Sequence, residues 1–259
     1  MKFKILLSLF FLVLLTSCKR EVESIYTFED TSNKAYLKVI NTIPNALATP
    51  TSSSFSPLAL YLNNIKLSGT NITYGSVFPS LEFASVNAGP SNLLLAKIFA
   101  TATTPDKDIA SKNLNLEAGG IYSAFLVDTV PTTDVFLIKE NLSAVADTGG
   151  VGGLGKYFVR LVNATPLSLG YDLFASSDNI TPITNVAYKA ASNFIQLDVA
   201  TGPRAFTIRK AGTTTGIGST SITPVKGRMY TIFSYGIEGG TGLRVTRATF
   251  YTSRFQTPL

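Results

Sequence analysis

Apolar and polar positions along most of this chain alternate with the period of a β-strand rather than a helix. Ile195-Gln-Leu-Asp-Val199 is strictly alternating, and Phe206 and Ile208 alternate with Thr207 and Arg209, as expected of strands buried on one face. Tyr230-Thr-Ile-Phe233 is nearly continuous in its apolar character, which suits a central strand covered on both faces. Turn formers punctuate these runs at Asn63-Asn64, Ser68-Gly69, Asn87-Ala-Gly-Pro90, Ala211-Gly212 and Glu238-Gly-Gly240. No stretch carries a sustained 3.6-residue apolar stripe. The pattern predicts an all-β chain of short strands, about seven to a domain, in two packed sheets.

The first residues follow a different rule. Met1-Lys-Phe-Lys4 places two lysines before a run from Ile5 to Leu15 that is apolar except for Ser8, and Leu15-Thr-Ser-Cys18 comes next. A basic start, a short apolar run and small residues at the cut describe a secretory signal peptide. The run is too short for a transmembrane helix, which needs about 20 apolar residues. Leu15-Thr-Ser-Cys18 resembles the bacterial lipobox, and that resemblance implies cleavage before Cys18 and lipidation of it. Lys19, rather than aspartate, follows the cysteine, so the expected destination is the outer membrane, on its periplasmic or its surface side.

Landmarks recur along the rest of the chain. Tyr36-Leu-Lys-Val-Ile-Asn-Thr-Ile-Pro44 and Phe158-Val-Arg-Leu-Val-Asn-Ala-Thr-Pro166 share one apolar, basic, apolar, Asn, Pro order. Ala88-Gly-Pro90 has its counterpart in Thr201-Gly-Pro203, and Gly119-Gly-Ile-Tyr122 in Gly227-Arg-Met-Tyr230. Three matches in one order argue for a tandem duplication. The expected organisation is a signal peptide over 1–17, the lipidated cysteine and a tether over 18–34, a first sandwich over 35–140, a Gly-rich linker over 141–155 and a second sandwich over 156–259. Pro50 to Pro57 reads as a loop inserted in the first copy. These landmarks resemble the bacterial domain of unknown function 4397 (DUF4397), whose copies open on a Val-Arg-Leu-Val-Asn-Ala-Thr-Pro strand and close on a Gly-x-x-Tyr strand. That resemblance implies immunoglobulin-like sandwiches in secreted or anchored proteins, and it brings no catalytic residues.

Composition narrows the chemistry. The chain has one cysteine, no histidine and no tryptophan. An intrachain disulfide is therefore impossible, and burial must stabilise the fold. Zinc would lack its usual nitrogen and sulfur ligands after cleavage, and acid–base work could rest only on carboxylates, Lys or Tyr. Asp106-Lys-Asp108 reads as a solvated turn rather than a calcium loop, lacking the glycine and distal Glu of that motif. Thr148 to Lys156 satisfies the spacing of two phosphate loops, yet a β-patterned run follows where a helix would have to begin. The expected reading is a non-enzyme without cofactor or metal and with no nucleic-acid partner.

Charge is uneven. Lys19 to Gly155 holds 9 basic and 12 acidic residues, whereas Lys156 onward holds 11 basic and 4 acidic. Arg204, Arg209, Lys210, Arg244 and Arg247 are the candidate ligand-binding residues, for an acidic glycan or lipopolysaccharide phosphate. The competing readings are a solvated basic face and a charge-complementary contact between the two copies. The expected function is a lipid-anchored interaction module for a glycan or an envelope protein, with a structural spacer as the alternative and a polysaccharide-acting enzyme behind both.

Overall fold

The strand β1 (Lys34–Asn41) sits at the centre of a five-stranded sheet because both of its faces are covered. The computed structural model describes residues 32–46, 54–98, 107–142 and 155–254. Cys18, nearly all of the tether, the first part of the Pro50–Pro57 insertion and the glycine run before Gly155 lie outside them. Beside β1 stand β4 (Val77–Phe78) and β5 (Ala84–Asn87) on one edge. On the other edge β8 (Ile121–Val127) runs parallel to β1, followed by β9 (Asp134–Lys139). A four-stranded sheet of β2 (Ala59–Leu62), β3 (Ile65–Lys66), β6 (Gly89–Ile98) and β7 (Lys107–Leu116) closes this sandwich. Leu37, Leu60, Leu94, Ala124 and Leu126 fill the space between the two sheets.

The same pairings recur in the second half. β10 (Lys156–Asn163) takes the place of β1, flanked by β13 (Ala190–Ala191) and β14 (Ile195–Asp198), with β17 (Met229–Tyr235) parallel to it and β18 (Arg247–Arg254) beyond. β11 (Tyr171–Ala175), β12 (Ile180–Val186), β15 (Arg204–Lys210) and β16 (Gly216–Ile222) form the facing sheet. Val159, Leu161, Leu173, Phe206 and Ile232 make its core. Among the described residues each half thus has nine strands rather than the seven expected from the turn spacing. The excess comes from two-residue strands too short to alternate, and from the strand beside β1 (or β10) being split in two. Of Asp106-Lys-Asp108, read as a solvated turn, Asp106 lies outside the described residues. Lys107 and Asp108 open β7, and Asp108 pairs with Lys97 across the hairpin at 3.5 Å.

Local rules account for the recurrence. Asn63 and Asn64 both have positive φ, at 49° and 64°, and form the two-residue turn between β2 and β3. In each Gly-x-x-Tyr motif the glycine has positive φ (72° at Gly119, 76° at Gly227). Its N–H then bonds the carbonyl of the first residue of the neighbouring strand, Lys34 or Lys156, at 2.7 and 2.8 Å. The tyrosine hydroxyl reaches back to accept the N–H of Glu117 or Val225, each at 3.0 Å.

From Thr31 onward the chain is one compact unit. The two five-stranded sheets pack on each other with their outer faces. Ile40, Phe125, Val127, Val162, Ala164, Phe233 and Tyr251 form one apolar cluster drawn from both halves. Phe125 and Phe233, which hold equivalent positions, meet edge to face at 5.6 Å. This is why Tyr230 to Phe233 reads as a nearly continuous apolar run: the second face of β17 is covered by the other half. Contacts join like ends of the halves. Lys189 reaches Asp128 (2.6 Å) and Asp134 (3.1 Å) past the C-terminal ends of β10 and β8. Phe158 and Met229 meet Ile121 and Leu142 near the starts of β10, β17 and β8. The central strands of both halves therefore run in the same sense. One end carries Lys34, Lys156 and Arg254, and the other carries the loops that leave β1, β8, β10 and β17.

Charged groups lie inside this interface. Arg160 is 4% exposed; its Nε donates to Thr231 Oγ1 at 2.9 Å and its Nη2 to Glu140 Oε1 at 2.5 Å. The Tyr251 hydroxyl donates to Ser123 Oγ at 3.0 Å, crossing from one half to the other. Burial acts to lower the Arg160 pKa, and the Tyr251 hydroxyl and Glu140 outweigh it, so the guanidinium stays charged. Lys38, the equivalent of Arg160, donates to the carbonyls of Pro79, Leu81 and Glu82 at 2.8, 2.6 and 2.8 Å. These three belong to the link between β4 and β5, so the ammonium takes the place of ladder bonds that the split strand gives up.

Burial, partly offset by Glu82 and Glu140, pulls the Lys38 pKa down to about 8. An unfolded lysine keeps the ordinary value of 10.5. Between these pH values the unfolded chain binds more protons, so stability rises with pH across that window. Urea unfolding at about pH 8 and about pH 10 measures the rise. Lys38→Met is expected to abolish it while costing about 3 kcal/mol at neutral pH, through the carbonyls left unpaired.

Candidate binding surface

The loop from Ala164 to Gly170, which leaves β10, is built on a buried asparagine. Asn163 has no exposed surface. Its Oδ1 accepts the Thr165 N–H at 3.1 Å and the Ser234 hydroxyl at 3.1 Å, and its Nδ2 donates to the Val186 carbonyl at 3.0 Å and to Ser168 Oγ at 2.9 Å. Ser168 in turn donates to the Thr165 carbonyl at 2.8 Å. The loop is therefore held from within. Yet Leu167 and Leu169 are 77% and 99% exposed. Leu167 also has a φ of 67°, a conformation that costs a branched residue about 1–2 kcal/mol.

A second loop lies against the first. The Glu238 N–H bonds the Pro166 carbonyl at 3.3 Å, and the Tyr171 hydroxyl bonds the Glu238 carboxylate. Lys210 Nζ pairs with the same carboxylate at 2.6 Å. Burial pushes the Glu238 pKa up, but the Lys210 and Tyr171 bonds prevail and hold it below the usual range. Gly236 permits the close return of this loop: its φ is 124°, and a Cβ there would come within 2.6 Å of the Val245 carbonyl oxygen. A single 3-10 turn at Gly242–Arg244 then exposes Leu243, Arg244 and Val245.

Of the basic candidates, Lys210, Arg244 and Arg247 share this loop end. Arg244 and Arg247 are exposed, and Arg247 opens β18 opposite Tyr235. Arg209 lies one residue before Lys210, with its guanidinium 3.3 Å from the centre of the Phe174 ring. Arg204 stands apart at the start of β15, about 17 Å away by strand rise, and pairs with Asp178 at 3.2 Å. The five are therefore not one cluster. Part of the charge imbalance is answered internally, through the Lys189 and Arg160 pairs to the first half. Among the described residues no group of three or more Asp, Glu, Cys or His is placed to hold a metal. No helix among them is long and apolar enough to cross a membrane.

Comparison with known proteins bears on the half that carries this loop end. Residues 157–250 match the family model described as domain of unknown function (DUF4397). The DUF4397 match runs from Tyr157 of β10 to Phe250 of β18, and so takes in Asn163, both loops and all five basic candidates. No curated protein matches the chain. Among solved structures, the chain is similar to a crystal structure from Bacteroides fragilis that is described provisionally as a cell adhesion protein. Identity is 10%, coverage is 86% of this chain and 99% of that one, and the TM-score is 0.21, too low to bear on function.

Reading the sequence misses the two leucines because apolar residues count there as candidate core. The available signal is their setting, in the five-residue stretch from Pro166 to Gly170. Within the DUF4397 region the Asn163→Ala variant is expected to lose about 2–3 kcal/mol, since it strips several buried bonds at once. Amide hydrogen exchange at Ser168 and Leu169 should quicken in that variant more than exchange in β15.

Proposed function

We propose that the chain is a lipid-anchored interaction module of the bacterial envelope, non-catalytic, which meets its partner with the loop end of its second half. The observation that carries the reading is the pairing of a loop held by Asn163 with two leucines left in solvent. Isolated exposed leucines are ordinary. Two on one braced loop, at the same end of this half as the exposed Leu243, Val245, Arg244 and Arg247, give that end apolar groups together with basic ones. A partner with an apolar recess and an acidic rim fits that surface. This loop end lies opposite the end at which β1 begins. A chain without histidine and with a single cysteine also has few groups for general acid–base or covalent chemistry.

The spacer reading draws support from the continuous interface between the halves, which resists bending. The two readings part in the cell. A photocrosslinking amino acid at position 169 is expected to trap a discrete envelope partner, while one at exposed Asp198, at the opposite end, traps none. Absence of any adduct from position 169 would leave the spacer. The anchor has its own test. Cys18→Ala should fold normally and leave the salt-washed membrane fraction for the soluble one. Retention of that variant in the membranes would contradict lipidation at Cys18.

A further inference from the structure

The two halves differ most at the link that splits the strand beside the central one. In the first half Pro79 to Phe83 separates β4 from β5; in the second only Ser192 to Phe194 separates β13 from β14. The longer link folds onto Lys38, whose ammonium binds its carbonyls and lies 4.9 Å from the Phe83 ring. The shorter link keeps the aromatic counterpart, with Phe194 4.7 Å from the Arg160 guanidinium, but the bonds of Arg160 go to Thr231, Glu140 and Tyr251 rather than to its carbonyls. A cavity of about 360 Å³ lies there, lined by Phe158, Arg160, Phe194, Asn193, Gln196 and Asn141 among others. The end of β9, at Ile138 and Lys139, forms its wall from the first half.

We infer that this cavity is a binding site for a neutral, hexose-sized sugar ring. Its volume falls within the range of small-ligand sites, about 300–1,000 Å³. Phe158 and Phe194 supply apolar surface for the C–H face of a ring. Asn193 supplies an amide of the kind that pairs with sugar hydroxyls, while the Ser192 hydroxyl, which accepts the Leu161 N–H at 3.0 Å and donates to the Asn193 carbonyl at 2.9 Å, holds the link in place. Arg160 is the fixed donor. Its Nε and Nη2 are taken by Thr231, Glu140 and Tyr251, and Nη1 has no partner among the described residues. The charge of Arg160 is already met by Glu140 at 2.5 Å, and that of Lys139 by Glu117 at 2.5 Å. The site therefore has no call for a second anion, and a hydroxyl suits the remaining donor better than a carboxylate. This site lies at the end of the molecule opposite the leucine loops, so either proposal can fail alone.

The test is an NMR titration of the mature chain, residues 18–259 with Cys18→Ala, against glucose, galactose, N-acetylglucosamine and glucuronate, to about 100 mM as weak monosaccharide binding demands. The expected result is saturable perturbation of the Phe158 and Phe194 ring signals by at least one neutral sugar, with glucuronate weaker. Gln196→Trp, which fills the cavity from an exposed strand position and leaves the Arg160–Glu140 pair in place, should weaken binding at least about tenfold. A short oligosaccharide of the preferred sugar binding more tightly than the monosaccharide identifies a glycan chain as the source; equal binding identifies the free sugar. No perturbation by any neutral sugar, a preference for glucuronate, or unchanged binding in Gln196→Trp would each overturn the inference.

Discussion

A guanidinium removed from water must be met by a carboxylate and by hydrogen-bond acceptors, or the structure around it fails. Arg160 is met by Glu140 from the first half and by Thr231 from its own. That pair ties the two sandwiches together in a way apolar packing alone would not, because separating them would leave one buried charge without its partner. The consequence runs outward. The central strands of the five-stranded sheets have no solvated face, so they carry apolar residues on both sides. Tyr251, bonded to Ser123 across the same interface, extends the polar layer toward Phe125 and Phe233. The chain after Thr31 is thus better described as one body with a repeated strand order than as two beads on a linker.

Much of this was open to sequence reasoning, and the parts that were not share a cause. Alternation located β14 and β15, and the continuous run located β17. Asn63-Asn64 and the two Gly-x-x-Tyr motifs marked turns whose geometry only those residues satisfy. A period of two states which residues share a face; it does not state what covers that face. Lys38 and Arg160 stand in matching positions of the repeated motif, yet nothing local distinguishes a basic residue in solvent from one buried under a second sheet. The short strands β3, β4 and β13 escaped because two residues cannot alternate. Among the candidate site residues, Lys210, Arg244 and Arg247 come to one end through the topology of β15, β17 and β18, whereas Arg204 goes to the other. Sequence proximity of Arg204 to Arg209 is misleading, since a strand of seven residues spans most of the sandwich.

The repeated architecture also shows how a function can arise from a break in symmetry. Both halves place an asparagine at the end of the central strand (Asn41 and Asn163), where it bonds the backbone two residues on. Only in the second half does the braced loop carry exposed leucines among the described residues. There, too, a three-residue link leaves open space beside the buried cation. Stability is drawn from what the halves share, and candidate binding features from where they differ.

Arg160 and Glu140 make the two halves one cooperative unit. The most direct measurement of this is equilibrium urea unfolding followed by hydrogen-exchange mass spectrometry, with peptides from β1–β9 and β10–β18 read separately, on the mature chain and on Glu140→Gln. One midpoint shared by both sets of peptides is expected, with a common shift to lower urea in the variant. Two separate midpoints, with the variant moving only that of β1–β9, would contradict it.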